Sequence, residues 1–226
     1  MIDENAASHG ALDTLLAEYV AGGLPQPVEV MVAAHIELNE VSRRFASDLE
    51  RAAGVVLDRL EPVAVADRDH NLDSIFALDA DLKPDVGFRS LVEGAALPSA
   101  SGLPRAIERY AGRPLSDVPW RRRLPGIQQW RIGTEEGYEA SLVRLRPGCG
   151  LPPHTHNGTE MTLVLQGGFS DSLGHYGVGD ISIADDEIDH QPIADDDGDC
   201  IGFVVSNASL HLTGWIGRLL APFRPR

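Results

Sequence analysis

The stretch PPHTHNGTEMTLVLQG, from Pro152 to Gly167, places two of the chain's eight histidines one residue apart and a carboxylate four residues later. His154 and His156 share parity, so in an extended chain both side chains point to one face. Glu160 has the same parity, and the intervening Asn157-Gly158 turn can bring it back toward the same pocket. Two imidazoles and a carboxylate are good ligands for zinc, iron, manganese or nickel. A fourth ligand is available at His190, which follows Gly179-Asp180 and the strand-like ISIAD. The spacing therefore predicts one divalent metal held by His154, His156, Glu160 and His190.

Outward from this stretch the texture is β. Ile127–Ile132, Tyr138–Leu145, Met161–Leu165, Asp180–Ile183, Ile201–Val205 and His211–Trp215 are short apolar or alternating runs separated by Gly, Pro and Asp turns. Such spacing predicts a β-sandwich or barrel. The N-terminal part differs. Leu12, Leu15, Leu16, Tyr19 and Val20 recur at helical spacing until Gly22-Gly23 stops them. Val28 to Leu60 continues the helical period through Phe45, Leu49, Ala52 and Val56 and is long enough for two helices, although no Gly or Pro marks a break. Between the two regions lie Asp-, Gly- and Pro-containing segments, with short helices expected at Ser74–Leu78 and Leu103–Tyr110. The expected organisation is a helical unit over 1–65, a linker with short helices over 66–112, and a β domain over 113–226. The fold class is α+β, mainly β.

A formal charge of −15 disfavours direct contact with nucleic-acid phosphates. No apolar run reaches the roughly 18–20 residues that span a bilayer, and the start MIDENAASHG lacks the regions of a signal peptide. A cytoplasmic chain without a membrane partner is expected. Cys149 and Cys200 are too few for a disulfide framework. Cys149 lies in the loop Pro147-Gly148-Cys149-Gly150 beside the metal stretch, where a nearby cation would favour its thiolate and make it a redox-sensitive candidate. Cys200 opens an apolar strand and reads as a buried small residue. Neither His175 nor His211 has ligand-like spacing. Arg121-Arg122-Arg123 reads as a solvated turn, or as one end of an internal salt bridge.

Gly150, His154, His156, Glu160 and Gly167 together resemble the first cupin motif, and Gly179 through His190 resembles the second. The second is imperfect, because Glu187-Ile188-Asp189 stands where a Pro-x-Gly turn usually precedes the histidine. The resemblance implies an antiparallel jelly-roll β-barrel with a three-His, one-Glu metal site. The wording from GTEMTLVLQGG to DCIGFVV, with LSDVPW, LLAEYVAGGLP and PVEVMVAAHIELNEVS upstream, is similar to ChrR-type anti-sigma factors. That likeness implies a transcriptional regulator whose helical domain sequesters an extracytoplasmic-function sigma factor. It also implies a cupin domain that responds to oxidative stress, either singlet oxygen or organic peroxide, and it favours zinc as the metal.

The chain departs from the family at one place. Members carry His-x3-Cys-x2-Cys and an N-terminal histidine as a second zinc site; here His35 remains, but Asn39 and Ser42 replace both cysteines, and His9 matches the N-terminal histidine. The i, i+4, i+7 spacing puts His35, Asn39 and Ser42 on one helix face. Neutral oxygens bind zinc weakly, so His9, His35, Asn39 and Ser42 are expected to be a vestigial site without tightly held metal. His35 is expected to hydrogen-bond Asn39 or Ser42 instead, with an ordinary polar helix position as the alternative. Apolar helix faces can still grip a partner. No base or nucleophile stands beside the ligands, which favours regulation over a dedicated enzyme. The competing readings are a metal-dependent cupin dioxygenase or isomerase acting on a small molecule, and a homodimer that associates through its helices.

Overall fold

The computed structural model describes residues 4–64, 66–77, 102–207 and 209–212, with the side chains of 4–9 and 209–212 outside that description. Helix α1 (Glu4–Ala21) extends upstream of the apolar run that marks it and buries Leu16 and Tyr19. After the turn at Gly22, Pro25 and Pro27 open α2 (Gln26–Leu38), where a first-turn proline sacrifices no helical hydrogen bond. Val28 and Val30 to Ile36 are all buried, so α2 is the helix on which α1, α3 and the later short helix at 105–111 pack.

Helix α3 (Glu40–Leu57) follows with a break of one residue, Asn39. Asn39 is extended (φ −117°, ψ 112°), and its side-chain oxygen accepts the Ser42 N–H at 3.1 Å, capping α3. The expected pair of helices is therefore present, but its break is made by a cap and not by Gly or Pro. As a consequence His35 lies on α2 and Ser42 on α3, so the expectation of one continuous helix face is corrected. Only Ser42 and Ala46 of α3 are buried. Val41, Phe45, Val55, Val56 and Leu57 are exposed. Helix α4 (Arg68–Ala77) begins earlier than the expected Ser74 start, and Leu78 lies outside the described residues, as does the linker over 78–101. Helix α5 (Arg105–Ala111) matches the second expected short helix. Its N-terminus has no side-chain cap of its own; the Glu37 carboxylate from α2 accepts the Arg105 and Ala106 N–H groups at 2.8 and 2.9 Å.

A six-stranded antiparallel sheet follows in the order β1-β2-β3-β10-β5-β8. Its members are β1 (Arg121–Leu124), β2 (Ile127–Glu135), β3 (Tyr138–Leu145), β5 (Glu160–Gln166), β8 (Ile181–Ala184) and β10 (Cys200–Ser206). The facing layer holds β4 (His154–Asn157) paired with β11 (Ser209–Leu212), and β6 (Phe169–Ser170) between β7 (His175–Tyr176) and β9 (Ile193–Ala194). Five of the six expected strands are present with small shifts in their ends. The last, at His211–Trp215, is seen as β11, with residues 213–215 outside the description. Arg121 to Arg123 form an exposed edge strand, which corrects the solvated-turn expectation. A row of charges on an edge discourages pairing with another chain.

Alternation along the strands decides what the large sheet does. Ala140, Leu142, Met161, Leu163, Phe203 and Val205 share one apolar core with α2 and α5. Their neighbours Val143, Leu145, Val164 and Cys200 face the barrel interior with Ile127 and Phe169. Thus one face of the sheet is packed under helices and the other lines the barrel. No described helix is long and apolar enough to cross a membrane.

Candidate metal centre

The quoted stretch folds as its parity requires: His154 and His156 point inward from β4, and Glu160 points inward from the first position of β5. His190 arrives from the second motif. Its N–H donates to the His154 carbonyl and its carbonyl accepts the His154 N–H, both at 3.0 Å, so two ligands are locked side by side. The candidate ligand atoms of His154, His156, Glu160 and His190 all lie within 4.8 Å of one another. His156 Nε2 is 3.0 Å from His190 Nε2 and 3.6 Å from Glu160 Oε1. The three histidines are buried, and Glu160 is partly so.

Hydrogen bonds select the ring tautomers. His154 Nδ1 lies 2.8 Å from the Pro152 carbonyl, which can only accept, so the proton sits on Nδ1 and the Nε2 lone pair faces the cluster. That Nε2 is buried with no hydrogen-bond partner. His190 Nδ1 donates in the same way to Asp171 Oδ2 at 3.1 Å. Burial holds the His154 ring below its usual pKa and pushes the Glu160 carboxyl up to about 7. Inward lone pairs fixed by outward Nδ1–H donors, one of them to a buried carboxylate, are what a metal site needs, so the residues fit a divalent ion. The cluster could bind a metal.

Asp171 was not visible from ligand spacing. Its side chain is fully buried, with one oxygen on His190 and the other accepting the Leu173 and Gly174 N–H groups at 2.8 and 3.3 Å. The trace it leaves in the sequence is the turn-forming Asp171-Ser172-Leu173-Gly174 between the two motifs. A similar device replaces the missing Pro-x-Gly turn: Asp185 Oδ1 accepts the Glu187 N–H at 3.0 Å and turns the chain toward His190. Two glycines of the first motif are required sterically. A Cβ at Gly150 would stand 2.5 Å from the Pro192 carbonyl oxygen; at Gly167, where φ is +65°, it would stand 2.7 Å from that of Asp199.

Beside the cluster the barrel encloses a cavity of about 220 Å³ whose wall includes Glu160 and His190. Cys149 is half-buried against Gly126, and its carbonyl accepts the Ala194 N–H at 3.0 Å. Cys200 is buried, as expected, and burial pushes its thiol up to about 12. His175 is exposed and paired with Asp195 at 2.9 Å, which raises its pKa.

At the second expected site the arrangement is different. His35 is 1% exposed. Its Nδ1 lies 2.7 Å from the carbonyl of Gly179, in the turn before β8, so Nδ1 carries the proton and donates it. The Ser42 hydroxyl lies 2.8 Å from Nε2 and donates to it in the neutral ring. Both nitrogens are thereby engaged, and Asn39 is engaged in its cap. His9 lies in α1, with its side chain outside the described residues. His35 thus ties α2 to α3 and both to the barrel, a contact that its expected partner Ser42 alone did not foretell. Burial holds this ring below its usual pKa, against the opposing influence of the Gly179 carbonyl and Asp180.

An antiparallel barrel with a three-histidine, one-carboxylate cluster at its interior, its outer face covered by an N-terminal helical arm, has the architecture of a cupin whose cluster could bind a metal. Residues 111–210 match the family model described as the ChrR Cupin-like domain. The anti-sigma-E factor ChrR of Cereibacter sphaeroides is 34% identical over 216 residues, covering 95% of this chain and 97% of its own length. The crystal structure of Rhodobacter sphaeroides SigE in complex with the anti-sigma ChrR gives a TM-score of 0.69 at 32% identity, over 86% of this chain and 96% of that one. The chain belongs to the ChrR family of anti-sigma factors.

Proposed function

We propose that this protein is an anti-sigma factor that sequesters an extracytoplasmic-function sigma factor through its helical unit, residues 1–65, with α4 extending the contact surface. The observation that carries this reading is the apolar surface left on α3 and α4 after the arm has packed. Val41 is 78% exposed, Phe45 38% and Phe76 82%, and Val55 and Val56 of α3 and Ile75 of α4 are exposed as well. A helix whose buried side already packs on the arm and whose other side is also apolar lacks a partner. The comparison with the SigE–ChrR complex, which aligns over most of both chains, names the class of partner.

The barrel, residues 113–226, serves as the receiving half. His154, His156, Glu160 and His190 would hold a single divalent ion, and zinc suits a closed set of three nitrogens and one carboxylate oxygen. Such an ion would supply a fixed positive charge between β4, β5 and the His190 segment. Asp171 and the Pro152 carbonyl orient two of its ligands. Oxidative stress, as singlet oxygen or organic peroxide, is the signal that the family likeness suggests. The coupling route is local: Met161 follows Glu160 directly and packs on the opposite side of the sheet, in the core shared with α2. His35 clasps the Gly179 turn from the arm. A change at the ligands thus reaches the arm through one strand and one hydrogen bond. The arm needs no metal for this, because His35 and Asn39 already have protein partners.

Co-purification with a co-expressed extracytoplasmic-function sigma factor from the same organism tests the reading. Phe45→Asp and Val56→Asp alter exposed positions and leave the fold intact; each is expected to weaken sigma binding by about thirtyfold or more. Failure of the wild type to co-purify, with turnover of a small molecule by the metal-loaded chain, would favour a dioxygenase or isomerase instead.

A further inference from the structure

The cavity beside the metal cluster has a charge pattern that the four ligands do not explain. Its walls are mainly apolar, with Ile127, Val143, Leu145, Phe169 and Val204 among them, and Arg123 reaches it from the edge strand β1. At about 220 Å³ it exceeds the ~150 Å³ that holds a benzene molecule, so it suits a body of about eight to ten non-hydrogen atoms. Arg123 is held in place: its Nε donates to Gln129 Oε1 at 2.9 Å, and the Gln129 amide donates to Ser141 Oγ at 3.2 Å. No described carboxylate pairs with its guanidinium, although the chain carries 34 acidic against 19 basic residues. Glu160 lies on β5, with β2, β3 and β10 between it and β1 in the sheet order, so the positive and negative walls are separated.

We propose that this cavity binds a small monocarboxylic acid with a compact apolar body, its carboxylate on Arg123 and its body against the apolar wall. A guanidinium with free terminal N–H groups is the donor that matches a carboxylate in two-point geometry. A ligand of the same shape without charge gains only the apolar contact. Placing the anion at Arg123 also keeps it away from Glu160. The proposal deepens the receiving role suggested for the barrel by giving it an occupant, but ligand binding is measured without a sigma factor, so either reading can fail while the other stands.

The test is calorimetric titration of the full-length, metal-loaded protein with benzoate and phenylacetate, and with benzyl alcohol as the neutral comparator. Saturable binding of one acid per chain is expected, with benzyl alcohol at least tenfold weaker. Arg123→Gln, on an exposed edge, is expected to weaken benzoate by about tenfold or more and to leave metal content unchanged. Val204→Phe, which fills the cavity, is expected to remove binding while the metal is retained; loss of the metal would mark misfolding and leave the decision to Arg123→Gln. Equal affinity for benzoate and benzyl alcohol would overturn the proposal, as would unchanged benzoate affinity in Arg123→Gln. So would the absence of binding at millimolar acid.

Discussion

Replacing His35 with alanine should loosen the arm from the barrel without altering metal content. The ring is almost fully buried and makes two hydrogen bonds, at 2.7 Å to the Gly179 carbonyl and 2.8 Å to the Ser42 hydroxyl. Alanine leaves that carbonyl without its partner, a loss of about 1–3 kcal/mol for a buried group. The vacated ring volume adds a packing loss of about 2 kcal/mol, toward the low end for large-to-small changes because the site borders a turn. The sum is about 3–5 kcal/mol, read as a lower urea midpoint of the metal-loaded chain. Ser42→Ala should cost about 1 kcal/mol, and the pair should couple in a double-mutant cycle because they share one bond. A pH series adds a sign. The folded ring is held below its ordinary value, so the unfolded chain binds the extra proton first. This contribution is intact above about 6.5 and is lost as pH falls toward the lowered value. The wild type should therefore lose more stability than His35→Ala on going from pH 7.5 to 5.5. A loss below about 1 kcal/mol in His35→Ala would refute the clasp. Elemental analysis showing two ions per wild-type chain and one in the variant would refute it more directly, by making His35 a ligand.

Protein purified without added metal should carry one ion per chain, and His154→Ala should abolish it; full retention would refute the ligand set. Asp171→Asn should keep the fold but weaken metal affinity by about 10- to 100-fold in a chelator competition, because it removes the charge that orients His190. A thiol reagent should label Cys149 in the native protein and reach Cys200 only in denaturant, since Cys200 is buried and its thiol is pushed up to about 12. Gly167→Ala should destabilise the barrel by about 2 kcal/mol or more in urea, combining a left-handed backbone with a contact of 2.7 Å to the Asp199 carbonyl oxygen.

The clustering of the candidate ligands was legible because metal chemistry restricts both residue type and parity. His154, His156 and Glu160 occupy alternate positions around a turn, and a strand allows only two directions for a side chain. The helical arm was legible from its period. Its internal break was not, because Asn39 ends one helix and caps the next through side-chain and backbone geometry that leaves no Gly or Pro behind. The same break moved Ser42 from the expected shared helix face onto a second helix, from which it meets His35 across the junction. Strand β1 was missed because three arginines carry no apolar alternation; its strand character comes from pairing with β2.

Local sequence thus determined the candidate metal chemistry of this protein: four side chains able to hold a metal, at spacings that an extended chain and a turn convert into one cluster. It also determined the absence of thiolates from the arm. Only the tertiary structure decided how these parts communicate. Asp171 reaches His190 across 19 residues and His35 reaches Gly179 across 144, and no local period encodes either distance. Which face of the large sheet meets the helices, and which encloses the cavity with Arg123 at its edge, follows from long-range strand pairing. Such contacts form only when the whole chain buries its apolar surface at once.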